Sequence, residues 1–139
     1  MLMPSRVKYR KHHLGVIKGY SSKANKLSFG EYGLKALEGF YMTQRQIEAC
    51  RLTITRFMKH GGKLWIRVFP DRSVSKKPQE TRMGKGKGDP AYWVCLVSPG
   101  RVLFEIEGLP AEEAKEALKQ ASYKLPVKTR IISREIQLG

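Results

Sequence analysis

The chain has 139 residues, of which 27 are Lys or Arg and 12 are Asp or Glu, for a formal net charge of +15. An apolar fraction of 41% suffices for one modest core and argues against global disorder. A balance so one-sided repels itself in a compact state and calls for a polyanion, with nucleic acid first and an anionic membrane surface second.

Residues 1–26 hold Arg6, Lys8, Arg10, Lys11, Lys18, Lys23 and Lys26 without a single acid. Val7, Leu14, Val16 and Ile17 are interleaved with no clear period, and no apolar run is long enough for a signal peptide or a membrane span. The segment reads as a basic arm that orders against phosphate, with Tyr9, Tyr20, His12 and His13 available to stack on bases or ribose. The plain alternative is a frayed tail.

Residues 26–39 predict one or two short strands interrupted by glycine. Thr43 and Gln46 have the spacing of a capping box, with Met42 and Ile47 as its hydrophobic staple, so a helix is expected from Thr43 to about His60, ended by Gly61 and Gly62. Ile47, Cys50, Ile54, Phe57 and Met58 share one face of it. Arg45, Arg56 and Lys59 fall on the opposite face, either as an ordinary solvated surface or as a phosphate-facing ridge.

Residues 64–69 alternate as a strand, with Leu64, Ile66 and Val68 on one side and Trp65, Arg67 and Phe69 on the other, closed by Pro70 and Asp71. Residues 72–88 then bring Arg72, Lys76, Lys77, Arg82, Lys85 and Lys87 against one acid, Glu80. At its tip, RMGKGKGDP lacks the Ser or Thr that a P-loop places after its lysine, and Asp89-Pro90 stands where the helix should begin. A mononucleotide site is therefore disfavoured, and a second basic binding element is preferred over a merely solvated loop.

Residues 92–97 and 102–107 read as strands joined by Ser98-Pro99-Gly100-Arg101, the signature of a type II turn, and are expected to form a hairpin. Pro110 suits the first position of a second helix, with Glu112 and Glu113 near its positive end and a small-residue face of Ala114, Ala117, Leu118 and Ala121. Residues 126–136 form a last, β-branched strand with Lys128, Arg130 and Arg134 to one side. The order of elements suggests an α+β sandwich, two helices on a mixed, largely antiparallel sheet, with basic arm and loop projecting.

Enzymatic chemistry finds no support. Asp71 and Asp89 are turn residues beside prolines, the glutamates read mostly as helical or strand surface residues, and no paired-acid or His-Cys constellation is present. Cys50 and Cys95 are far apart, and His60 is remote from His12 and His13, so neither a disulfide framework, a metal nor a cofactor is expected. A stand-alone nucleic-acid-binding regulator stays open on charge alone.

Seven stretches in order, MLMPSRVKYRKHH, SFGEYGLKALE, RQIEACR, GGKLWIRVFPD, KPQETRMGKGKG, YWVCLVSPGRVLFEIEG and KLPVKTRII, resemble the bacterial-type sixteenth protein of the large ribosomal subunit. The resemblance spans Met1 to about Arg134. It implies a two-helix α+β domain with a β-hammerhead element, residues 1–139 as one domain, an arm at 1–26, a folded core at 27–136 and a projecting loop at 70–90. It further implies a ribosomal location, in a bacterium or an organelle that encodes its own copy. Partners would be large-subunit rRNA near the central protuberance, tRNA in the aminoacyl and peptidyl sites, and neighbouring ribosomal proteins, with no membrane. By position, Arg6, Lys8, Arg10 and Lys11 match the family's basic N-terminal motif, and Arg82, Lys85 and Lys87 match its loop motif. Leu14, Val16 and Ile17 depart from it, standing where many relatives carry arginine, so phosphate contacts are not carried over to those three positions.

Overall fold

The computed structural model describes residues 25–58, 61–75 and 90–134. In chain order these form β1 (Tyr32–Ala36), β2 (Phe40–Thr43), α1 (Gln44–Arg56), β3 (Lys63–Ile66), β4 (Arg72–Ser75), β5 (Pro90–Val97), β6 (Val102–Glu107), α2 (Ala111–Ser122) and β7 (Thr129–Ser133). The class is α+β, as expected. The single mixed sheet is not what forms. Two sheets form instead, one of four strands in the order β3-β6-β1-β7 and one of three in the order β2-β5-β4. Every strand pairing within either sheet is antiparallel.

The register of the four-stranded sheet shows why its inner face is the core. Leu34 lies opposite Phe104 and Ile131, Tyr32 and Leu64 both lie opposite Ile106, and Ile66 lies opposite Phe104. All of these belong to one apolar cluster with Ile47, Cys50 and Ile54 of α1, Met42, Cys95 and Val97 of the three-stranded sheet, and Ala114, Leu118 and Ala121 of α2. The period-2 alternation of the strands meets the 3.6-residue stripe of each helix there. The small face of α2 is buried as expected, and the helices touch closely enough for the Cys50 thiol to donate to the Ala121 carbonyl at 3.4 Å.

Helix α1 opens on the expected capping box: the Gln46 amide donates to Thr43 Oγ1 at 3.1 Å, and the Thr43 amide donates to Gln46 Oε1 at 3.0 Å. It ends at Arg56, before the expected His60, because the Phe57 and Met58 amides turn inward to the carbonyls of Ile54 and Thr55. Pro110 is the N-cap of α2, one position ahead of the one read for it.

The hairpin expected around Pro99-Gly100 is corrected by the structure. The turn itself is present, with Gly100 at φ 91° and the Arg101 amide donating to the Ser98 carbonyl at 3.2 Å. Yet β5 and β6 lie in different sheets. The end of β1 takes the Arg101 carbonyl that a hairpin would return to Ser98: Ala36 N–H donates to it at 2.9 Å, and Gly100 N–H donates to the Ala36 carbonyl at 2.7 Å. The strand expected over 64–69 pairs only as far as Ile66, although Arg67 N–H still donates to the Leu103 carbonyl. Arg72–Ser75, read as part of the basic loop, are strand β4 and pair with β5.

Candidate nucleic-acid interface

The outer face of the four-stranded sheet is where the described structure meets the basic N-terminal segment. Gly33 and Trp65 both lie opposite Glu105, and Gly33 also lies opposite Ile132, so these residues share that face. Residues 27–30 cross it. Leu27 is buried with Val102 and Ile132 in a small second core. Gly33 makes this possible, because a Cβ there would stand 2.4 Å from Leu27 Cδ2 and 3.0 Å from the Phe104 carbonyl oxygen.

Glu105 fastens the crossing. One carboxylate oxygen accepts the backbone N–H groups of Ser28 at 2.9 Å, Phe29 at 2.8 Å and Gly30 at 2.9 Å. The other accepts Arg67 Nη1 at 2.6 Å. Arg67 also donates to the Lys26 carbonyl at 3.1 Å and lies 5.4 Å from the centre of the Phe29 ring, which itself stacks on Trp65 at 5.8 Å. Burial alone pushes the Glu105 carboxyl up, but the three amides and the guanidinium outweigh it and hold it below the ordinary carboxylate range. Glu105 is an exception to the expectation that the glutamates lie mostly on surfaces: it is fully buried. Strand alternation does place it opposite the core, but only the folded-back segment 27–30 turns that side into an interior.

Arg45 and Arg56 are both exposed on α1, and their spacing of eleven residues puts them on one side of the helix about 16 Å apart. Arg51, also on α1, is instead paired with Glu48. Arg130 is exposed on β7, an edge strand, with Lys128 and Arg134 exposed at its two ends, where charge also discourages pairing with another chain. Lys35 lies directly across from Arg130, which concentrates positive charge at that edge. Arg6, Lys8, Arg10, Lys11, Lys18, Lys59, Lys76, Lys77, Arg82, Lys85 and Lys87 lie outside the described residues, so only Arg45 and Arg56 of the sequence-derived set are placed. Among the described residues no group of three or more His, Cys, Asp or Glu side chains is arranged to hold a metal ion. No helix among them is long and apolar enough to cross a membrane. Both cysteines are free and buried.

Residues 4–132 match the family described as ribosomal protein L16p/L10e. The chain belongs to that family. It is also 57% identical over 134 residues, 96% of either chain, to the large ribosomal subunit protein uL16c of Porphyra purpurea. It is accordingly a ribosomal protein of the large subunit and not an enzyme, and its place is the ribosome of a bacterium or an organelle. Membership brings ribosomal RNA and other ribosomal proteins as its partners. In that setting a strongly positive chain is unsurprising, since ribosomal RNA is a polyanion.

Proposed function

We propose that this protein binds large-subunit rRNA near the central protuberance and helps to position tRNA in the aminoacyl and peptidyl sites. On this reading residues 1–139 are one domain of the β-hammerhead type, in which the core 27–136 docks on RNA. The arm 1–26 and the loop 70–90 thread between RNA segments and screen phosphates around the bound tRNA. Arg6, Lys8, Arg10, Lys11 and Lys18 of the arm and Lys76, Lys77, Arg82, Lys85 and Lys87 of the loop are the contacts, supported by the ridge of Arg45, Arg56 and Lys59. Arginine grips phosphate oxygens as a fork, lysine acts as a mobile point charge, and the glycines between the loop lysines let backbone N–H donors approach a sugar-phosphate surface.

The observation that supports this reading best is the fastening at Glu105. Three backbone amides and Arg67 are spent on holding residues 28–30 against the sheet, immediately after a segment with seven cations. A freely frayed tail has no need of so firm a root; a phosphate-binding arm that must leave the core in one direction does.

The test is sucrose-gradient sedimentation of a lysate, followed by tRNA binding to particles carrying Arg82, Lys85 and Lys87 substitutions. Co-migration with the large subunit through high salt is expected, with weakened aminoacyl- and peptidyl-site tRNA binding in the variants. Unchanged tRNA binding would remove the positioning role. For the isolated chain on rRNA, neutralising about 6 to 9 phosphates predicts a log–log salt slope of roughly −4 to −8.

A further inference from the structure

Between the two sheets lies an open cleft of about 480 Å³, bordered by Arg67, Phe69, Asp71, Arg72, Cys95 and Arg101 among others. That volume falls within the roughly 300–1,000 Å³ of pockets that take small organic groups. Its polar lining has an excess of cationic groups. Arg67 is committed to Glu105, and among the described residues Asp71 is the one carboxylate bordering the cleft. Arg101 donates to the Leu96 carbonyl at 3.1 Å, the Arg67 carbonyl at 3.1 Å and the Cys95 sulfur at 3.5 Å, all of them neutral acceptors. Its Nε is buried with no hydrogen-bond partner, and no carboxylate among the described residues pairs with it. A half-buried guanidinium without a counter-charge favours an anion from outside. At the rim stands Phe69, 46% exposed, with its ring open beside the cleft while its neighbour Val68 is buried.

We propose that this cleft takes one unpaired RNA nucleotide, with its base against the Phe69 ring and its phosphate drawn by Arg72 and by the unneutralised charge of Arg101. The inference rests on the RNA-binding reading above and adds a specific subsite to it, built from residues of the folded core. Base stacking on aromatic rings tolerates any sequence, and a base is available for it only where RNA is single-stranded or has an unstacked residue. The cleft thereby distinguishes an extruded nucleotide from continuous duplex, which the basic extensions by themselves do not.

The experiment uses the full chain, with Phe69→Ala, Phe69→Tyr and Arg72→Gln variants, and three probes: a twelve-nucleotide oligoadenylate, a blunt RNA duplex, and AMP. Phe69→Ala is expected to weaken oligoadenylate binding about 5- to 150-fold with an unchanged salt slope, and to leave duplex binding alone. Phe69→Tyr should restore affinity, and Arg72→Gln should make the oligoadenylate salt slope shallower by about one. Because Phe69 is exposed, its variants should melt with the parent. Oligoadenylate affinity equal to the parent's in Phe69→Ala overturns the inference. So does a variant that loses AMP and keeps oligoadenylate, which marks a site for free nucleotide. A parent chain that binds neither RNA overturns the RNA-binding reading itself, and the subsite with it.

Discussion

Replacing Glu105 with Gln keeps the size of the side chain and removes its charge. The amide oxygen can still face the amides of Ser28, Phe29 and Gly30, but the other end becomes an NH2 group aimed at the Arg67 guanidinium that sits 2.6 Å from Glu105 Oε2. Hydrogen bonds to a charged partner are each worth about 1 kcal/mol more than neutral ones, and breaking a buried ion pair costs about 3–5 kcal/mol. With three weakened bonds and one donor facing another, a loss of about 3 kcal/mol is expected. An unfolding entropy of about 2.1 cal/mol/K per residue over 139 residues gives about 0.3 kcal/mol/K, so Tm should fall by about 10 °C. Thermal unfolding of the purified chain, followed by circular dichroism at a series of pH values, measures this. The sign of the pH dependence is determined by the lowered carboxyl. Its stabilising contribution is complete above the ordinary carboxylate range and is lost as pH falls through the lower folded-state value, so parent and variant should converge in acid. A Tm difference under about 2 °C at neutral pH, or one that persists undiminished in acid, would refute the reasoning.

Gly30→Ala would set a Cβ 2.7 Å from the Ile106 carbonyl oxygen and 2.9 Å from its nitrogen, both backbone, so a loss of about 1–3 kcal/mol is expected in denaturant unfolding. Gly33→Ala meets the movable end of Leu27 first, and hydrogen exchange should show residues 27–30 loosened while the core amides stay protected. Thr43→Ala removes the side-chain half of the α1 capping box and should cost about 1 kcal/mol by the same unfolding assay. The Cys50 thiol is pushed up to about 12 by burial, and Cys95 is raised by the same cause. Neither should react with a maleimide at pH 8 in the native chain, and both should label in guanidinium.

What was legible in the sequence is what local chemistry decides. The capping box at Thr43, the buried stripe of α2 and the turn at Pro99-Gly100 each depend on residues within a few positions of one another, and each is present. What was not legible depends on partners remote in the chain. The turn at Gly100 does not say that Ala36 will take its hydrogen bonds, and so it does not reveal that β5 and β6 part into separate sheets. Nothing near Glu105 announces the amides of residues 28–30, which come from 75 to 77 positions earlier. The family and the basic composition were plain from the start. Of the thirteen cations read as RNA contacts, Arg45 and Arg56 stand exposed where the helix period puts them. The fold offers one candidate that charge counting passed over: the cleft at Phe69, flagged only by an aromatic that strand alternation turns outward.

The central place of β1 has a temporal side. Tyr32 must meet Ile106 on one flank and Ser133 on the other, and α2 is made between those two partners. Contacts so distant in sequence carry a high loop-closure cost and slow the search for the native state. On a translating ribosome, the four-stranded sheet cannot close until nearly the whole chain has emerged. Until β6 emerges β1 has two open edges, and until β7 follows it still has one; the amides of residues 28–30 and the Arg67 guanidinium likewise wait for Glu105. The positively charged first residues are thus made long before the core is complete. Nascent copies of this protein should be most vulnerable to misplaced contacts with nucleic acid during that interval.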